Sequence, residues 1–138
     1  MGSRVYLDTA PIIYFLEKNP QWYEKIEVFL YKGIQEEFQF VTSVITNIEY
    51  LVVPTRNVNV LAINNYWDFL RSLDVQVLQI NREIAEVAVK LRAKYAGIKT
   101  ADAIQLAASL HVNCDIFLSN DKQLLQVKEV PVKLVDQL

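Results

Sequence analysis

Arg4-Val5-Tyr6-Leu7-Asp8-Thr9-Ala10-Pro11 is the stretch from which the remainder of the chain can be read. Val5, Tyr6 and Leu7 have strand character and run straight into an aspartate. Thr9 and Pro11 then announce a helix, because Pro is well tolerated in a first helical turn and a hydroxyl caps the free N–H groups there. A carboxylate is thereby held where a buried strand hands over to a helix. In open α/β sheets that edge is where ligands bind. The same order returns late in the chain, where Ile116-Phe117-Leu118 ends in Ser119-Asn120-Asp121.

Outward from this stretch, the apolar spacing predicts a short helix over 11–18, stopped at Asn19-Pro20, and a second helix over 21–35. An alternating strand over 38–42 follows. A third helix spans 43–53, with Ser43 as its cap and Pro54 as its stop. A fourth covers 58–73 and pairs with the third as a hairpin. A strand over 75–80 leads to Asn81, which caps a long helix running to Lys94 with Ile84, Val87, Ala88 and Leu91 as its apolar stripe. After Gly97 a helix spans 100–111, then a strand 116–118, a short helix around Leu124 and Leu125, and a closing strand over 132–135. Strands separated by helices imply a parallel sheet covered on both faces. The expected class is α/β: one domain over residues 1–138, a three-layer α/β/α sandwich with a mostly parallel central sheet of four to five strands.

Composition narrows the chemistry. The chain has 138 residues, 52% of them hydrophobic, yet no apolar run approaches the roughly 20 residues of a membrane span. No signal peptide is expected either, since Arg4 is followed by only a short apolar strand and then Asp8. The excess of apolar residues reads as core plus a partner interface. One Cys, Cys114, excludes an internal disulfide and suits a reducing cytoplasm; with one His in addition, a structural zinc site of the usual composition is excluded. His111 lies at a helix tail, where a partial positive charge is welcome, which leaves no support for a Ser-His-Asp or Cys-His mechanism. The net charge is −2, so charge alone does not hold nucleic acid, and any such role rests on a local basic patch or on metal ions.

Four acids stand apart from the solvated ones. Glu49 has Ile45, Val52 and Val53 at i−4, i+3 and i+4, which places it within an apolar stripe on the inward face of its helix; a stripe-edge Glu reaching solvent, or one paired with Arg56, is the plain alternative. Asp102 sits in the first turn of the 100–111 helix, where the helix terminus alone would favour it. Asp121 and Asp8 each follow a strand and are equally readable as turn or cap acids. Asp115 precedes its strand and belongs to the opposite edge. Were the four to converge, mutual repulsion would demand a cation, and oxygen-only ligands select hard ions such as Mg²⁺ or Mn²⁺. Acids holding metal, without a His or Cys nucleophile, suit phosphodiester hydrolysis by activated water. Asp8 is then expected to stand exposed at the strand end, pointing into an acidic pocket within bridging reach of Asp102.

At these residues the sequence resembles a PIN domain, the nuclease fold of the toxins in VapBC-type toxin–antitoxin pairs. Tyr6-Leu7-Asp8-Thr9 resembles the opening strand and Ser43-Val44-Ile45-Thr46-Asn47-Ile48-Glu49 the helix that supplies the Glu. Leu91-Arg92-Ala93 with Lys99-Thr100-Ala101-Asp102-Ala103 resembles the third block, and Phe117-Leu118-Ser119-Asn120-Asp121 the last. Each block is weak alone; four in order at plausible spacing are specific. The resemblance implies a metal-dependent endoribonuclease acting on RNA with Mg²⁺ or Mn²⁺, with Asp8, Glu49 and Asp102 as metal ligands and Asp121 completing or orienting the site. It also implies inhibition by a cognate antitoxin, and a homodimer. Thr9, Ser43, Thr46 and Asn120 are candidates to orient the ligands or the scissile phosphate. Arg92, Lys94 and Lys99, with Lys90 and Tyr95 among them, are candidates for gripping RNA, or else an ordinary solvated helix face. Two rivals remain: a non-catalytic binding module on the same scaffold, with Trp22, Tyr23, Tyr66 and Trp67 for partners or for the core, and, more distantly, a phosphoryl-accepting receiver domain.

Overall fold

The computed structural model describes residues 2–138. Five strands, β1 (Arg4–Leu7), β2 (Gln39–Ser43), β3 (Gln76–Leu78), β4 (Ile116–Ser119) and β5 (Val132–Leu134), form one sheet in the order β3-β2-β1-β4-β5. Every pairing is parallel. Parallel neighbours need crossovers, and helices α1 (Thr9–Leu16), α2 (Tyr23–Gln35), α3 (Val44–Arg56), α4 (Val60–Ser72), α5 (Arg82–Lys94) and α6 (Thr100–His111) supply them.

Strand alternation divides the core in two. Val5, Leu7, Phe40 and Leu118 point to one face and pack with Ile12, Ile26, Phe29, Leu30, Tyr66 and Phe69 of α1, α2 and α4. Tyr6, Val41 and Phe117 point to the other and meet Ile84, Leu91, Leu106 and Ala107 of α5 and α6. The Tyr6 and Phe117 rings stack with centroids 5.1 Å apart. Three layers result, as expected. α2 comes close to β2 because Gly33 has no side chain; a Cβ there would lie 2.5 Å from Phe40 Cζ.

Several boundaries differ from the sequence reading. α1 begins at Thr9 rather than Pro11, and its cap is the Asp8 side chain, which accepts from the Thr9 N–H. α2 starts two residues late, at Tyr23. α3 runs through Pro54 to Arg56 instead of stopping there. A proline in the last turn forfeits one intrahelical bond, and the carbonyl of Pro54 is used by the Asn59 N–H in the closing turn. The third strand shortens to Gln76–Leu78 because only those residues pair with β2. Ser43 and Asn81 cap α3 and α5 as read from the sequence. Of the aromatics weighed as partner contacts, Tyr66 is wholly buried and stacks on Tyr50, so it belongs to the core. Asp115 lies at the opposite edge, accepting from the Arg4 N–H at 2.8 Å. No helix is long and apolar enough to cross a membrane among the described residues.

Candidate active site

The chain leaves β1 on one side toward β2 and returns on the other at β4, which makes the carboxyl ends of β1 and β4 the point where the strand order reverses. Ligands bind at such switch points. A cleft of about 520 Å³ opens there, and Asp8, Thr9, Glu49, Asp102, Asn120 and Asp121 all line it, together with Tyr14, Lys99, Ser119 and Lys122.

Asp8 is the deepest of the acids, 7% exposed rather than open at the strand end as the sequence suggested. Its N–H extends the β1–β4 ladder by donating to the Leu118 carbonyl at 3.0 Å. Its Oδ1 accepts from the Thr9 N–H at 2.9 Å and its Oδ2 from Ser119 Oγ at 2.7 Å. Burial pushes its pKa up to about 6; the bonds from Ser119 and Thr9 pull it down, while the charges of Asp102 and Glu49 push it further up. Asp102, on the first turn of α6, is raised chiefly by burial, then by Asp121 and Glu49, against a lowering by Lys99. The four acids therefore act on one another electrostatically across a single cleft.

Glu49 corrects the sequence reading. It is exposed, and of the three apolar residues flanking it Val52 is 45% and Val53 is 53% accessible, while Ile45 is half-buried. The stripe turns largely to solvent instead of the core, yet the helix entry from β2 still brings Glu49 to the cleft wall, where Thr9 Oγ1 donates to its Oε1 at 2.6 Å. Asp121 caps the 3-10 helix Lys122–Gln126 by accepting from the Gln123 N–H, so part of its bonding is spent on that turn. Ser43 and Thr46 do not line the cleft; both are fully buried beneath it. Asn120 donates to the Tyr14 hydroxyl at 3.1 Å.

Two of the three residues of the expected basic patch are engaged within the chain. Arg92 donates to the Ile98 carbonyl and to Thr100 Oγ1, tying down the loop before α6. Lys94 pairs with Glu129 at 3.1 Å. Lys99 alone of the three reaches the cleft, joined by Lys122, which the sequence reading missed because nothing in its neighbours marks it. Tyr14 was missed for a similar reason: at helical spacing it reads as core, and half of it is, since its ring stacks on Trp22. Cys114 is no rival nucleophile, as burial pushes its thiol up to about 12.

Among the described residues no three Asp, Glu, His or Cys side chains lie close enough together to hold a metal ion. The donor set is nevertheless one of carboxylate oxygens only, and an Asp8 held back from ionising by burial first, and by Asp102 and Glu49 after it, is what a cation would relieve. Mg²⁺ keeps several waters and commonly takes one or two protein carboxylates, which these side chains can offer.

A family model described as PIN domain matches residues 5–130. The chain belongs to the PIN domain family. Solved structures agree on the fold. VapBC2 from Rickettsia felis, bound to a DNA fragment from its promoter, superposes with a TM-score of 0.73 at 15% identity, covering 95% of this chain and 98% of that one. FitAcB from Neisseria gonorrhoeae gives 0.73 at 22% identity, with 97% and 99% covered. A toxin–antitoxin complex from Klebsiella pneumoniae gives 0.64 at 19%, with 91% and 94% covered. At these identities the likeness is one of fold. A comparison with curated proteins finds no match.

Proposed function

We propose that this PIN domain is a metal-dependent endoribonuclease, the toxin of a toxin–antitoxin pair. The observation that carries the reading is that Asp8, Glu49, Asp102 and Asp121, spread over more than 110 residues of sequence, line one cleft at the sheet's switch point. Asp8 and Asp102 would hold Mg²⁺ or Mn²⁺, with Glu49 and Asp121 completing its surroundings. Such an ion, when bound, lowers the pKa of water and offsets charge on the phosphate. The protein's own part is positioning. Ser119 and the Thr9 N–H fix both oxygens of Asp8, Thr9 aims Glu49, and Lys99 and Lys122 meet the phosphate backbone.

An antitoxin is the expected partner. α2 and α4 leave an open groove of about 460 Å³ lined by Phe15, Leu16, Tyr23, Leu30, Tyr31 and Phe69 among others, and the Klebsiella structure is a toxin–antitoxin complex. A homodimer and a cytoplasmic location belong to the same reading; the free Cys114 is in keeping with a reducing compartment.

Incubation with a panel of structured and single-stranded RNAs tests the reading. Cleavage is expected with Mg²⁺ or Mn²⁺, abolished by EDTA and reduced at least about a hundredfold by Asp102→Asn. Cleavage that survives EDTA, or an Asp102→Asn variant as active as wild type, rules it out. The non-catalytic alternative is favoured by one observation: among the described residues no three potential ligands are closely set. It expects calorimetric Mg²⁺ binding with no RNA cut.

A further inference from the structure

Below the cleft floor, α6 carries a glutamine that neither the family resemblance nor the cleft lining accounts for. Gln105 is fully buried, and all four bonding positions of its amide are taken by hydroxyls from β1, β2, α1 and α3. Its Oε1 accepts from Ser43 Oγ at 2.7 Å and from the Tyr6 hydroxyl. Its Nε2 donates to Thr46 Oγ1 at 2.8 Å and to Thr9 Oγ1 at 3.2 Å.

The polarity of this cluster is determined. Ser43 Oγ already accepts from the Ile45 N–H, so its own proton needs an acceptor, which fixes the amide oxygen on that side. The amide nitrogen is thereby turned to Thr9 and Thr46. Thr9 Oγ1 accepts from it and also lies 3.1 Å from Thr46 Oγ1; the Glu49 carboxylate is the nearer acceptor and cannot donate, so the single Thr9 proton is directed outward, to Glu49 Oε1 at 2.6 Å. Glu49 is exposed, and Thr9 is its one hydrogen-bond partner among the described residues. Without that bond, nothing in the structure would keep its long side chain turned into the cleft rather than spread over rotamers in solvent.

We propose that Gln105 is a positioning residue: a buried amide that, acting through the Thr9 hydroxyl, holds the Glu49 carboxylate in the cleft. For cation binding this rests on the function proposed above; for the orientation of Glu49 it does not. Reversing or deleting the amide removes the donor that directs the Thr9 proton outward, even though Gln105 itself does not line the cleft.

The test compares Gln105→Leu, Thr9→Val and Thr9→Ser. In metal-free protein, NMR couplings of the Glu49 side chain are expected to report one dominant rotamer in wild type and Thr9→Ser, and averaging in Gln105→Leu and Thr9→Val. Titration with Mn²⁺ alone is expected to show about tenfold weaker affinity in those two variants, the size of one bond to a charged group. In a Glu49→Ala background the same substitutions should weaken Mn²⁺ no further. A single rotamer retained in Thr9→Val, or an equal loss of affinity in the Glu49→Ala background, overturns the proposal. Should Gln105→Leu fail to fold, Gln105→Met keeps the length of the side chain while removing both N–H donors, and makes the same comparison. A wild-type protein that binds no Mn²⁺ counts against the function proposed above, while the rotamer measurement still decides the role of Gln105.

Discussion

Asp8 carries two roles at once, and they pull its chemistry in opposite directions. As the cap of α1 it must accept bonds, which favours the ionised form; as a buried group facing Asp102 and Glu49 it is pushed toward the protonated one, to about 6. Between its ordinary value of 3.8 and about 6, the folded protein therefore binds more protons at this site than the unfolded chain. Stability of the metal-free protein falls as pH rises through that window, by on the order of 3 kcal/mol from this group. Thermal melts of metal-free protein at pH 5 and pH 7.5, which span about half of that loss, should show a higher midpoint in acid, and Asp8→Asn should remove that component. An unchanged pH dependence in the variant would show that Asp8 does not titrate as its burial requires. At this scale the sequence was informative about type and silent about depth. A strand running into an Asp marked a residue that lines the cleft, but whether it lay open or under Ser119 depended on a strand 111 residues away. Glu49 was singled out for a reason that fails, since an apolar stripe facing solvent has the same spacing as one facing the core. Gln105 and Ser109 read in sequence as a narrow polar line on an apolar helix, open to water; both are buried, because the hydroxyls that meet Gln105 lie on elements far off in sequence.

The elements were legible in kind, because apolar periodicity and side-chain caps at Ser43 and Asn81 are local signals. Their ends were less so, and the backbone explains why. α1, α2, α3, α4 and α6 are followed by Lys18, Glu37, Val58, Asp74 and Asn113, all with φ between 50° and 58°. The usual mark of such a left-handed stop is Gly, and this chain has only three. Val58 is the costliest, being β-branched, and it is 77% exposed with nothing packed on it to offset the strain. Val58→Gly should stabilise the fold by about 0.5–1 kcal/mol, the relief of strain exceeding the entropy gained by the unfolded chain. The midpoint of urea unfolding measures this, and a variant less stable than wild type would mean that Val58 makes a contact worth more than its strain.

Across the whole molecule, the alternation of strands and helices implied a covered parallel sheet, but not which strand lies at its centre. That β1 lies between β2 and β4 follows from long-range pairing, and it is this order that brings the acids of β1 and β4 together. The same assembly engages Arg92 and Lys94 of the expected basic patch within the chain, leaving Lys99 and Lys122 at the cleft of a chain with net charge −2. RNA binding should therefore depend only weakly on salt. With two phosphate contacts, the slope of log K against log salt is expected to be about −1.4 for a single strand, and a slope steeper than about −4 would place the grip elsewhere. The most direct test of the site is the cleavage rate of one labelled single-stranded RNA at saturating Mn²⁺, for wild type and Asp8→Asn side by side. The expected result is cleavage by wild type and a loss of about a hundredfold or more in the variant. A folded Asp8→Asn protein that cuts the RNA as fast as wild type would contradict the assignment of the cleft as a hydrolytic site.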